Sequence, residues 1–140
     1  MIKAWIVCVA AVFMIPVSAQ NAAVVARDAW VRMPLPSKKE AALFLIVENH
    51  TPEKRKIVAV STDAAQVAEL HEMKMERMTM VMTPIKDLSI PANGKTSLNP
   101  DRYHIMLFGL KTRPAIGDTI KATLKLDDGT MVPVTATVRK

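Results

Sequence analysis

The chain has 140 residues, with nineteen basic and thirteen acidic side chains, a net charge of +6 and a single cysteine. This length fits one domain that buries a hydrophobic core of its own. A modest basic excess spread along a chain is typical of a solvated surface, with an acidic docking partner as the alternative. One cysteine excludes a framework of intramolecular disulfides.

The first nineteen residues are typical of a secretory signal peptide. Lys3 supplies a positive start, residues 4–15 form an apolar run, and small residues lead to the expected cleavage point after Ala19. Cleavage after Ala22 or Ala23 is the alternative. The apolar run is shorter than the ~20 residues that a helix needs to span a bilayer.

Cleavage would leave a mature protein, residues 20–140, without cysteine, because Cys8 lies inside the apolar run. The mature form is therefore expected to have no stable membrane anchor and to reside in the periplasm. Export also makes nucleic acid a poor partner. A blue-copper electron carrier needs a thiolate ligand, so the loss of Cys8 argues against that class.

The mature sequence predicts one all-β domain without a long helix. Runs of β-branched and apolar residues alternate with turn residues, at a spacing typical of an antiparallel sandwich or small barrel of Greek-key type. A single helical turn is expected at residues 63–66. The predicted strands are 24–31, 41–48, 56–61, 67–75, 78–85, 96–98, 103–110, 119–126 and 131–138.

Two histidines and two methionines form the most informative pattern in the chain. Ten residues separate His71 from Met82, twenty-one separate Met82 from His104, and one separates His104 from Met106. Thioether sulfur is a soft, uncharged ligand, and together with imidazole it favours Cu(I) over zinc, calcium or magnesium. The pattern predicts a function in copper handling.

Side-chain alternation suggests how these residues could meet. In a strand, His71, Met73 and Met75 share one face. A two-residue turn at Glu76–Arg77 would place Met82 directly opposite His71, with Cβ atoms ~5 Å apart. The turn lacks the glycine or asparagine that tight hairpins prefer.

A four-residue loop at 76–79 would shift the register but keep the even-numbered methionines on the face of His71. His104 and Met106 share a face by the same alternation. If their strand lies beside the hairpin, two imidazoles and two thioethers converge on one point.

The other methionines of the hairpin have a simpler interpretation. Charged residues 72, 74 and 76 lie on the opposite face, so the methionine face is expected to point inward. Methionines on an inward face usually fill the core, and lining the copper site is the alternative. This applies to Met73, Met75, Met78 and Met80.

The chain resembles the periplasmic copper(I) chaperone family often written PCuAC. The family motif of His, ten residues, Met, twenty-one residues and His-x-Met maps without gaps onto His71, Met82, His104 and Met106. Segments 29–30, 69–73, 90–92, 103–110 and 117–119 also resemble the family. The turn at 76–79 departs from it, because members commonly have glycine there.

The resemblance implies a cupredoxin-like β-barrel that binds one Cu(I) per chain through those four residues. It also implies a copper-accepting partner, such as a cytochrome c oxidase subunit receiving its CuA centre or another periplasmic copper carrier. Copper storage or tolerance remains an alternative.

The residues alone also permit a non-catalytic β-sandwich interaction module whose histidines and methionines are core. An enzyme is not expected. The sequence has no nucleophile elbow, no suitably spaced pair of carboxylates and no third histidine in register to hold Cu(II).

Overall fold

A computed structural model describes residues 23–140 as ten β-strands. The predicted signal peptide, residues 1–19, lies outside the described residues and stays a prediction. No helix within residues 23–140 is long and apolar enough to cross a membrane. The strands are β1 (Val24–Arg32), β2 (Glu40–Asn49), β3 (Arg55–Thr62), β4 (Ala65–Glu76), β5 (Thr79–Pro84), β6 (Leu88–Ile90), β7 (Gly94–Leu98), β8 (Tyr103–Leu110), β9 (Thr119–Leu126) and β10 (Met131–Arg139).

The strands form one sheet in the order β5-β4-β8-β2-β1-β10-β9-β3-β6, and β7 also pairs with β2. Strands β3 and β4, each next to one end of this order, contact one another, which closes the sheet into a barrel. All strand pairs are antiparallel except β1 with β10, which is parallel. The all-β, predominantly antiparallel fold is confirmed.

The predicted strands agree with the observed ones to within two residues at each end, and β6, of only three residues, was not foreseen. The predicted helical turn at 63–66 is wrong. Asp63 and Ala64 form a bend, and β4 already begins at Ala65, which is buried and pairs with Leu110 of β8. Sheet pairing and burial outweigh the weak local preference for a helical turn.

The core uses alternate positions of the central strands. Leu43, Leu45 and Val47 of β2 are almost fully buried, as are Ile105 and Leu107 of β8. Burial of each such side chain contributes about 1.5–3 kcal/mol to folding. Since neighbouring residues point to opposite faces, the even positions of β2 and β8 lie on the outer face of the barrel.

The β4–β5 hairpin extends beyond this core. No residue from 72 to 87 is fully buried, and strand β5 forms the edge of the sheet. Glu76 pairs with Thr79, so the turn consists of Arg77 and Met78. The two-residue turn at Glu76–Arg77 is therefore wrong by one residue, whereas the alternative at 76–79 spans the residues that close the hairpin.

Both turn residues have positive φ, 47° for Arg77 and 67° for Met78. This is the backbone of a two-residue type I′ hairpin turn, which asparagine and glycine adopt most readily. The backbone thus makes the turn that the pairing of the strands requires, in spite of unfavourable side chains.

Candidate metal centre

Two histidines face each other on the outer side of the barrel. His71 of β4 is the direct partner of His104 in β8. Their ring centroids are 5.6 Å apart, and each residue is only 5% exposed. The barrel therefore holds two imidazoles side by side, out of water but outside the aliphatic core.

Met82 reaches this pair from the hairpin. It lies opposite Met73, while His71 lies opposite Pro84. The direct pairing of His71 with Met82 that a turn at Glu76–Arg77 would give is therefore wrong, and the shifted register expected from a four-residue loop at 76–79 is the observed one. The register shift moves Met82 to a diagonal position on the same face, within reach of a long side chain. Its Sδ lies 2.9 Å from Nε2 of His104.

Met106 occupies the next position of β8 on the same face as His104. It pairs with Glu69 of β4 and Ala42 of β2 and is partly exposed. It also lines a shallow cleft of about 260 Å³ beside Arg32. Contacts thus join His71, His104 and Met82, and Met106 stands one step further along the shared face.

The surroundings of His71 leave one ring nitrogen available. Its Nε2 lies 2.9 Å from Oε2 of Glu69, so an N–H at this nitrogen donates to the carboxylate. Its Nδ1 is buried and has no hydrogen-bond partner among the described residues. Metal-bound histidines commonly donate their other N–H to a carboxylate in this way, and buried nitrogens without a partner are rare. The arrangement fits a metal ligand.

Aromatic rings wall the histidines on both sides. Phe44 of β2 lies 6.2 Å from the His104 ring, and Phe108 of β8 lies 5.7 Å from the His71 ring, between centroids. Trp30 packs on Phe44 at 4.7 Å, and Cζ of Arg32 lies 5.5 Å from the Phe44 centroid. These rings cover part of each imidazole, in accord with the low exposure of both histidines.

Sequence reasoning gave no role to the phenylalanines or to Glu69. Two of these residues could have been found by period-two alternation, because Glu69 lies two positions before His71 and Phe108 two after Met106. Phe44 comes from a distant strand, and only the pairing of β2 with β8 brings it to the site.

The electrostatics favour a neutral imidazole at residue 104. Burial lowers the pKa of His104 below its ordinary value of 6.5, and the nearby His71 and Arg32 lower it further. A neutral ring keeps a nitrogen lone pair for a metal at neutral pH. Within residues 23–140, no three His, Cys, Asp or Glu side chains are grouped to hold a metal ion. The side chains that contact the nitrogens of this histidine pair are Met82, through its sulfur, and Glu69, through its carboxylate.

The predicted core-filling role is wrong for Met75, Met78 and Met80, which are exposed, whereas Met73 is partly buried. Met75 is 65% exposed, Met78 95%, Met80 47% and Met82 42%. The reason is the length of β4 and β5, which continue past the end of the core so that both faces of the hairpin reach solvent. The charges at 72, 74 and 76 therefore do not mark the only outward face.

Comparisons with known proteins agree with this fold. The family model "Putative lipoprotein LpqE-like" matches residues 24–138. "Putative lipoprotein Lxx21020" of Leifsonia xyli subsp. xyli is 34% identical over 84 residues, which are 59% of this chain. Those residues span about half of that relative, 51% of its length.

Two solved structures extend the comparison. The solution structure of CuI-DR1885 from Deinococcus radiodurans is 34% identical, with a TM-score of 0.63 over 87% of this chain and 82% of that one. The copper-bound PCuAC domain from PmoF2 has a TM-score of 0.71 over 84% of this chain and 93% of that one. At 17% identity, the latter shows the fold alone. The resemblance to the PCuAC family, predicted from the histidine and methionine spacing, is confirmed in the fold. The chain belongs to the LpqE-like family.

Proposed function

We propose that this protein is a Cu(I) carrier that binds one ion through His71, Met82, His104 and Met106. The observation that carries the proposal is the approach of Met82 Sδ to within 2.9 Å of His104 Nε2, beside the His71 ring. An imidazole and a thioether at this distance form a soft donor pair that suits Cu(I). The solution structure of the 34%-identical relative CuI-DR1885 holds Cu(I), which adds support.

The burial pattern suggests how such a site releases its ion. The two histidines are 5% exposed, whereas Met82 is 42% exposed. Four neutral ligands leave Cu(I) with its single positive charge, and thioethers exchange more readily than thiolates. An acceptor that offers cysteine or histidine therefore displaces Met82 or Met106 first, and the buried histidines dissociate from the ion last.

The route and the recipient are also part of the proposal. The chain is exported to the periplasm by residues 1–19, acts without catalysis, and passes copper to a protein that builds the CuA centre of cytochrome c oxidase or to another periplasmic carrier. Transfer from the Cu(I)-loaded protein to a soluble CuA-bearing subunit tests the first recipient. If copper stays bound in the presence of that subunit, storage becomes the better description.

An anaerobic Cu(I) titration against a competing chelator tests the ligand set. Met82→Leu and Met106→Leu keep side-chain volume and remove one sulfur each. We expect each to weaken Cu(I) binding by more than the ~10–100-fold typical of losing a residue that only orients a ligand. Met131→Leu is the matched control, because Met131 is 59% exposed on a different hairpin. Equal affinities in all four proteins would refute the site.

Acidity provides a second test. Protons compete with copper for imidazole nitrogen, so affinity should fall between pH 7.5 and pH 5, on either side of the ordinary histidine value of ~6.5. The same titration at both pH values measures the difference. Equal affinity would exclude histidine ligation and favour a structural interaction module.

A further inference from the structure

A second group of thioethers lies on the same hairpin, away from the histidines. Met78 lies in the turn of the β4–β5 hairpin. Met75 of β4 and Met80 of β5 form the opposed pair nearest the turn on the face that also carries His71. We call these three residues the tip cluster. They remain unused by the site described above and are among the most exposed large apolar side chains of residues 23–140.

The hairpin register brings the tip sulfurs within reach of one ion. Met75 is the direct partner of Met80, so their Cβ atoms are ~5 Å apart. Each methionine is unbranched and has three rotatable side-chain bonds, so two opposed sulfurs can turn toward a shared point. Met78 lies in the turn between these strands and is the third thioether of the tip.

The surroundings suit a soft cation and offer little to a hard one. Along the tip, the same-face positions are occupied only by thioethers, whereas Lys74 and Glu76 lie on the other face. A site made of thioethers has no oxygen ligand, so it does not attract magnesium or calcium, which prefer oxygen. Solvent exposure keeps these sulfurs accessible to an arriving ion.

Structural reasons for methionine at the tip are weak. None of the three is buried, so none fills the core. At the turn, the positive φ of 67° at Met78 is a conformation in which glycine would be unstrained. Methionine there costs stability and adds a sulfur.

The cluster is also continuous with the histidine site. Met73 pairs with Met82, one same-face step nearer the histidines than the pair of Met75 and Met80. Two residues along a strand span about 7 Å. Paired sulfurs therefore follow each other from the turn to Met82, which contacts His104.

We propose that Met75, Met78 and Met80 form a second, weaker site for a soft monovalent ion, Cu(I) or Ag(I), from which the ion moves to the histidine site. Its lower affinity follows from the absence of imidazole and from the greater exposure of its side chains to water. The movement is a ligand exchange in which the ion keeps its charge. The existence of the tip site stands alone, but its role in loading rests on the proposed function.

Titration of the purified protein with Ag(I), followed by NMR of ¹³C-labelled methionine methyl groups, tests the site directly. We expect the first equivalent to shift the methyl signals of Met82 and Met106, and further Ag(I) to shift those of Met75, Met78 and Met80. The signal of Met131, exposed on another hairpin, is the internal control and should not move. Tip signals that stay unshifted, or that shift no more than Met131, would overturn the proposal.

Paired variants separate this proposal from the previous one. The triple change of Met75, Met78 and Met80 to Leu should abolish the second binding phase, keep the first, and slow loading of the first several-fold. Met82→Leu with Met106→Leu should weaken the first phase and keep the tip shifts, so a failure of the histidine site leaves the tip site measurable. A second phase that persists in the triple variant overturns the tip site, and an unchanged loading rate overturns its role in loading.

Discussion

Glu69 is predicted to strengthen copper binding without touching the ion. Its carboxylate accepts a hydrogen bond from His71 at 2.9 Å, and this orients the ring so that Nδ1 is free. A hydrogen bond to a charged group contributes about 1.5–3 kcal/mol. Because the Glu69 side chain is 45% exposed, the effective value is smaller, about 1.4 kcal/mol, which corresponds to a tenfold change in affinity.

We therefore expect Glu69→Leu to weaken Cu(I) affinity about tenfold. Glu69→Gln retains an acceptor oxygen and should lose only about threefold, since the neutral acceptor forms the weaker bond. Competition with a chelator at pH 7.5 measures all affinities, and circular dichroism checks that each variant is folded.

The control for this prediction comes from the opposite face of the same strand. Glu72→Leu removes the same charge but not a contact with either histidine. It should bind Cu(I) like the unmodified protein. If Glu69→Leu and Glu72→Leu weaken binding equally, the effect is one of net charge and the orienting role is refuted.

Three further predictions concern the fold. The pKa of His104 is lowered in the folded state, so as pH falls the unfolded chain takes up a proton at this residue before the folded chain does. The copper-free protein should therefore lose stability as pH falls below about 6.5. Urea unfolding at pH 7.5 and pH 5 measures this loss, and an equal pH effect in His104→Gln would contradict the prediction. Arg77→Asn with Met78→Gly should relieve the backbone strain of the turn. We expect the free energy of unfolding to rise by about 1 kcal/mol, or the melting temperature by about 4 °C. A lower melting temperature would show that the turn is not strained. Leu107→Ala should cost about 2–5 kcal/mol of unfolding free energy, and the exposed control Val67→Ala far less; equal losses in denaturant titrations would contradict the assignment of the core.

Strand positions were accessible to sequence reasoning because their pattern is local. Period-two alternation placed His104 and Met106 on one face of their strand, and the opposite face of β8 holds the fully buried Ile105 and Leu107. The spacing of the histidines and methionines likewise pointed to β4, β5 and β8, which are neighbours in the sheet.

What the sequence could not predict depends on non-local geometry. The turn at Arg77–Met78 has no favourable residue, so its position and the resulting register of Met82 could not be fixed from local preferences. The exposure of the methionine face depends on where the core ends, which no periodicity reveals. Phe44 reaches the site only through the pairing of β2 with β8.

X-ray absorption on the protein loaded anaerobically with one equivalent of Cu(I) tests the central claim most directly. A four-ligand site of two imidazoles and two thioethers predicts both nitrogen and sulfur scatterers in the first shell, with the sulfur contribution reduced in Met82→Leu. A shell of nitrogen and oxygen only, unchanged in that variant, would contradict the account.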